Sequence, residues 1–314
     1  MRKWHTPYRS SPETRRDLEK HFRSVGFELL DAFDTREGLW HHLFGKLRRG
    51  GISYFFKIAQ TAEYGDRIGN ELVWNQAIGK LLKRADFSWC SVPVNVLSGK
   101  LGDKKYYIAP YYSGGGLASQ SPPGSGELDR WIDRMVVTSL FFLGLNGLRF
   151  PRDEPHPNLT SEFIVATQKR FDQIGREYRL EPLMKEFGSF LSRDVPTAVN
   201  HGDFVPWHMI KQGDGFVLVD GEYASSTMPA YYDVVFCFQR MYVNAESPEL
   251  AKQFLKRFFA QLIKRERRQF QWLTRFILAS RIISTFWHAE RVHQTDLRYE
   301  HRLKREFLRN ELLK

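Results

Sequence analysis

The chain has 314 residues, 42% hydrophobic and 26% charged, the composition of a folded soluble protein with a sizeable core in one large or two modest units. Its net charge of +11 favours acidic partners: nucleotides, phosphorylated sugars, nucleic acid or an anionic membrane face. The two cysteines, Cys90 and Cys237, lie in apolar company outside any CxxC or Cys/His spacing, which excludes a cysteine-based metal centre and reads as reduced core.

The charge is concentrated at one end. Residues 251–314 carry 16 Lys/Arg against 6 Asp/Glu, so the rest of the chain is nearly neutral. The first residues, MRKWHTPYRSSPETRRD, lack the apolar core of a signal peptide. The longest mostly apolar run, Met135 to Phe150, is interrupted by Thr138, Ser139, Asn146 and Arg149 and reads as a buried helix. A cytoplasmic protein is expected, with a peripheral place at the inner face of the membrane left open.

In chain order, residues 1–25 read as a polar arm with a helix over 12–24. The runs GFELLDAF, LWHHLFGKL and ISYFFKIA, separated by TREG and RRGG, predict a three-stranded antiparallel meander. Leu72, Ala77, Ile78, Leu81 and Leu82 form the apolar stripe of a helix over 67–84. Two further strands are expected at SVPVNVLSG and KKYYIAPYY. The stretch SGGGLASQSPPGSGE, 113–127, is linker material. Helices are expected over 128–145, 161–180 and 183–192, then a strand–turn–strand unit, then helices from 230 onward. The expected domains are therefore an arm (1–25), a β-rich lobe (26–112) and a mainly α lobe (113–314).

The strand–turn–strand unit, VNHGDFVPWHMIKQGDGFVLVDGEYASS, carries the chemistry. Asp220 ends the apolar strand FVLVD, and Asp203 sits in HGD ahead of a turn. Two carboxylates facing one cleft repel unless a cation or a shared proton lies between them. Mg²⁺ with a nucleoside triphosphate is a common solution: one Asp holds the metal and the other accepts the proton of an attacking hydroxyl.

HGDFVPWHMI followed by FVLVDGEYA resembles the catalytic segment of the aminoglycoside phosphotransferase family, which has the protein-kinase-like fold. The resemblance, over about 26–238, implies an α+β, two-lobed fold with a small antiparallel β lobe and a larger α lobe. It makes Asp203 the catalytic base and Asp220 the principal Mg²⁺ ligand. Asp233, in PAYYDVVF, becomes support for the catalytic loop. His201 itself reads as a structural hydrogen-bonder rather than a base. Such a fold needs a strand lysine on the α/β-phosphates and a helical glutamate to orient it. YFFKIA supplies Lys57 and GNELVWNQAI supplies Glu71, with Glu63 as a competing partner.

Two features depart from the family pattern. His208 stands where the family has Asn; it is either a second metal ligand or a packed histidine. The lipopolysaccharide-core sugar kinases are similar in pairing an Asp with a His five residues on. The first turn, DTREG, is poor in glycine, so phosphate cradling is weakly signalled. Glu222 reads equally as an aid to the metal or substrate or as a surface residue. Phe204 and Trp207 read as packing, and His41, His42 and His288 carry no metal spacing.

The resulting expectation is a phosphotransferase moving the γ-phosphate of ATP, with GTP as the other donor, onto a saccharide or surface-glycan precursor. The alternative is an inactive nucleotide-binding pseudokinase that scaffolds at the membrane. The acceptor is expected to be a small molecule or a glycolipid. The basic C-terminal helices suit an anionic membrane face, and no nucleic-acid reading module accompanies their charge.

Overall fold

In the computed structural model the described residues are 8–34, 42–118, 125–155 and 158–312. Residues 35–38 of the expected DTREG turn, His41 and the middle of the expected linker lie outside them. The chain forms two compact units. One takes Met1–Gly114, Phe150–Arg152 and Ile210–Tyr223, the other Gly115–Arg149, Asp153–Met209 and Ala224–Lys314.

The first unit opens with the short strand β1 (Tyr8–Arg9) and helix α1 (Pro12–Ser24). Ser11 caps α1 by accepting from the Thr14 amide, and Pro12 sits in the first turn, where no amide is needed. The meander follows as β2 (Glu28–Asp34), β3 (His42–Arg49) and β4 (Ile52–Ala59). Helix α2 (Ala62–Arg84) starts five residues before its expected position, capped by Thr61. The run expected as one strand at 91–99 is split into β5 (Cys90–Ser91) and β6 (Leu97–Leu101). Pro93 has no amide to give a ladder and stands in the break. Strand β7 (Lys104–Pro110) completes an antiparallel sheet of order β1-β2-β3-β4-β7-β6.

Strand alternation gives this sheet two faces. Phe56 and Ile58 of β4 join Leu18 and Phe22 of α1 in one cluster. Phe55 and Ala59 pack with Tyr64 and Ile68 of α2 in another. Lys57 falls on the α2 face by the same alternation, opposite Tyr107 in register.

In the second unit come α3 (Ser125–Leu143), α4 (Leu159–Ile174), α5 (Glu181–Gly188) and strand β8 (Thr197–Asn200). The chain then enters the first unit along β9 (Met209–Gln212) and β10 (Gly215–Leu218). There β10 pairs in parallel with β5, in a sheet of order β5-β10-β9. Strand β11 (Ser225–Pro229) pairs antiparallel with β8. The remaining helices are α6 (Tyr232–Val243), α7 (Pro248–Gln261), α8 (Lys264–Arg291) and α9 (Arg298–Leu308).

Nearly all of α6 is buried, as its all-round apolar sequence requires. Phe187 of α5 stacks on Phe276 of α8, with centroids 4.8 Å apart. Among the described residues no helix is long and apolar enough to cross a membrane.

Candidate functional site

In the first unit, Lys57 is 7% exposed and surrounded by carboxylates. Its Nζ donates to Glu71 Oε2 at 3.0 Å, Asp220 Oδ1 at 2.6 Å and Glu222 Oε2 at 2.7 Å. Tyr107, beside Lys57 on β7, donates its hydroxyl to the other oxygen of Glu71 at 2.8 Å. Burial alone would lower the lysine pKa, but Asp220, Glu222 and Glu71 outweigh it and hold it well above the usual value. Glu63 instead pairs with Arg67, so Glu71 is the helical partner.

Asp220 follows β10 in the left-handed region, with φ +70°. An Asp tolerates that conformation better than most side chains, yet it still carries strain, which the surrounding contacts must hold. The next residue must be small. A Cβ on Gly221 would come within 2.4 Å of the ring of Trp74, which α2 presses against this turn. Asn70 Nδ2 donates to the Glu222 carbonyl at 3.2 Å and fixes the turn from the same helix.

Glu222 is 1% exposed, so the surface reading of this residue is wrong. Sequence reasoning left it undecided because its burial depends on the turn after Asp220. The signal available was its spacing, two residues past the strand-ending Asp. Burial first, then the charges of Asp220 and Glu71, push its carboxyl up to about 7 against the pull of Lys57. Glu71, Asp220 and Glu222 each offer a ligand oxygen, all within 4.8 Å of one another. An all-oxygen set of this kind suits Mg²⁺.

A pH dependence follows. Between about pH 4.5 and about 7, folded Glu222 holds a proton that the unfolded chain has released. Its stabilising contribution is therefore present below that window and lost as pH rises through it. Glu222→Gln does not titrate. Wild-type stability relative to Glu222→Gln should fall by about 2 kcal/mol between roughly pH 5.5 and 8. Thermal melts of both proteins across that range check it; equal slopes would contradict it.

The HGD loop belongs to the second unit, where β8 ends at Asn200. Asp233, in the first turn of α6, accepts from the amides of His201 at 2.6 Å and Gly202 at 2.9 Å. Asn200 Oδ1 accepts from the Asp233 amide at 3.2 Å and closes the exchange. Burial pushes the Asp233 carboxyl up to about 7, and the two amide donors pull the other way. Gly202 has φ +82°, so the loop needs glycine there. His201 is fully buried, and its Nδ1 accepts from the Asp203 amide at 3.3 Å. His208, ending a short 3₁₀ turn, places Nδ1 3.1 Å from the Asp203 carbonyl and 3.6 Å from its Oδ2. Donation from Nδ1 to the carbonyl makes Nε2 the lone-pair nitrogen of that ring.

Asp233→Ala should strand two loop amides and cost about 2–3 kcal/mol. Amide exchange at His201 and Gly202 should accelerate, with the denaturation midpoint falling. Unchanged protection at those two amides would contradict the anchoring role.

Thus Lys57, Glu71 and Asp220 are brought together in one unit, and His201, Asp203, His208 and Asp233 in the other. Fully buried Phe204 packs edge-on against Phe142. His42 is buried, 3.5 Å from Glu222 Oε2, a proximity its sequence neighbours did not signal.

A sequence profile described as the phosphotransferase enzyme family matches residues 23–273. Among curated proteins none matches the chain. Among solved structures, a thermostable variant of aminoglycoside phosphotransferase APH(4)-Ia, in ternary complex with ADP and hygromycin B, is similar at 13% identity and TM-score 0.60. The match covers 93% of this chain and 98% of that one. Another variant of the same protein, with AMP-PNP and hygromycin B, gives 13% identity and TM-score 0.62 over 95% and 98%. Aminoglycoside 2'-phosphotransferase-IIIa with GDP gives 12% and 0.58 over 96% and 99%. At these identities the likeness speaks for the fold: α+β and kinase-like, as the sequence led one to expect.

Proposed function

The chain belongs to the phosphotransferase enzyme family, and on that premise we propose that it transfers a nucleotide's γ-phosphate to a hydroxyl of a saccharide or surface-glycan precursor. ATP is the proposed donor, with GTP to be compared in the same assay because a similar structure carries GDP. Residues 26–112 are proposed as the nucleotide-holding lobe and 113–314 as the lobe of the catalytic loop and acceptor helices, with 1–25 as an arm.

The observation that carries the reading is the convergence of Glu71 and Asp220 on Lys57, across 14 and 163 residues of sequence. In this reading Lys57 clamps the phosphates and Glu71 orients it. Asp203 orients the acceptor hydroxyl and takes its proton late in the transfer. Asp220 would hold Mg²⁺, aided by His208. Bound there, Mg²⁺ would neutralise phosphate charge. His201 and Asp233 keep Asp203 in place. Catalysis is then mainly positioning and charge neutralisation.

The lipopolysaccharide-type acceptor is supported by the Asp203–His208 spacing. A peripheral contact with anionic lipid at the inner face of the membrane is supported by the start of α8. There Lys264, Arg265 and Arg268 are exposed beside Ile263.

Asp220→Asn tests the reading. Wild-type melting should rise with ATP plus Mg²⁺ and not with ATP alone, and the variant should lose that response. A variant that responds like wild type would remove Asp220 from the metal–nucleotide site. No response of either protein to any nucleotide, with Mg²⁺ or Mn²⁺, would favour the scaffold alternative.

A further inference from the structure

Several cations of the C-terminal helices pair with carboxylates. Arg257 pairs with Asp129 and Asp133, Arg275 with Glu186, Arg302 with Glu249 and Glu306, and Lys252 with Glu306. Two half-buried arginines differ: Arg170 of α4 and Arg281 of α8. Among the described residues neither has a carboxylate within ion-pair distance.

Arg170 donates from Nη1 to Ser284 Oγ at 2.9 Å and lies 5.3 Å from the Trp287 ring centre. Arg281 lies 4.5 Å from the ring centre of Phe236 on α6, and its Nε is buried with no acceptor. Burial, and then the charge of Arg281, lower the pKa of Arg170. Two like charges in a partly desolvated place repel each other and lose hydration together. An oxyanion relieves both costs and can take several guanidinium donors at once.

A chain of packed rings joins this pair to the anchor of the HGD loop. Phe236 stacks on Tyr232, with centroids 5.6 Å apart and planes 14° apart. Tyr232 precedes Asp233, which holds the HGD loop.

We propose that Arg170 and Arg281 bind a phosphate-type oxyanion carried by the acceptor, so that this enzyme selects an anionic saccharide over a neutral or cationic one. The proposal rests on the phosphotransferase reading for the word acceptor, but its test needs no turnover. With the nucleotide site filled by Mg–AMP-PNP, glucose 6-phosphate, glucose and inorganic phosphate are titrated calorimetrically against the full chain. Nucleotide binding is measured in its own titration, so a failure there is seen separately.

Glucose 6-phosphate should bind saturably and glucose should not. Arg170→Gln and Arg281→Gln should each weaken that binding about ten-fold, while Arg281→Lys, which keeps the charge, should weaken it less. Melting curves of the variants identify any that fail to fold; Arg281, whose side chain makes no hydrogen bond among the described residues, is the safer of the two to change. Binding that ignores both arginines, or no saturable binding of glucose 6-phosphate, overturns the proposal. Inorganic phosphate binding as tightly as glucose 6-phosphate would assign the pair to free phosphate and overturn the acceptor-borne assignment.

Discussion

Lys57→Met should cost the fold about 3–5 kcal/mol, because it removes the one cation among the described residues that touches all three of Glu71, Asp220 and Glu222. Their ligand oxygens lie within 4.8 Å of one another, and two of the three side chains are almost fully buried. The melting temperature should drop by about 6–10 °C near neutral pH. Two further effects separate this from ordinary loss of packing. The deficit should shrink as pH falls toward about 7 from above, because without the pull of Lys57 Glu222 takes up its proton at a higher pH than in wild type and relieves the repulsion. Millimolar Mg²⁺ should restore more stability to the variant than it adds to wild type, since the vacated centre is an all-oxygen set. A melting deficit indifferent to both pH and Mg²⁺ would mean that Lys57 is held by packing alone.

Asp203→Asn should lower kcat by about 10²–10⁴, the range expected when a positioned carboxylate no longer accepts the hydroxyl proton. The anchors of its loop are backbone amides and the His201 ring, so the variant should fold and melt close to wild type. Nucleotide stabilisation with Mg²⁺ should survive, because Lys57, Glu71 and Asp220 are untouched. The comparison of kcat with the nucleotide-dependent melting shift checks both halves. A variant that keeps its kcat would leave the proton to another group, and one that loses nucleotide binding would assign Asp203 to the donor instead.

The parts of this protein legible in its sequence are those with short-range causes. Alternation and turn residues located the meander, and with it the face of Lys57. The 14-residue step from Lys57 to Glu71 needed only a strand, a turn and a helix. Pairings made at long range were hidden. The strand expected at 91–99 breaks because Cys90–Ser91 pairs with β10, more than a hundred residues on. The pairing of β8 with β11 likewise depends on partners 25 or more residues apart. Glu222 was ambiguous for the same reason: its burial comes from α2, whose contact with the Asp220 turn no local pattern announces. Asp233 was legible only through family resemblance, since a buried Asp opening an apolar helix looks like any N-terminal helix acid.

The close fit of Trp74 against Gly221 has an optical consequence. The protein has eight tryptophans, and this one is fully buried with its indole against a glycine flanked by Asp220 and Glu222. Indole emission responds to nearby charge and to small displacements of its surroundings. The turn between those two acids therefore carries its own chromophore, and a chain reduced to this single tryptophan would report events at the turn without an attached dye.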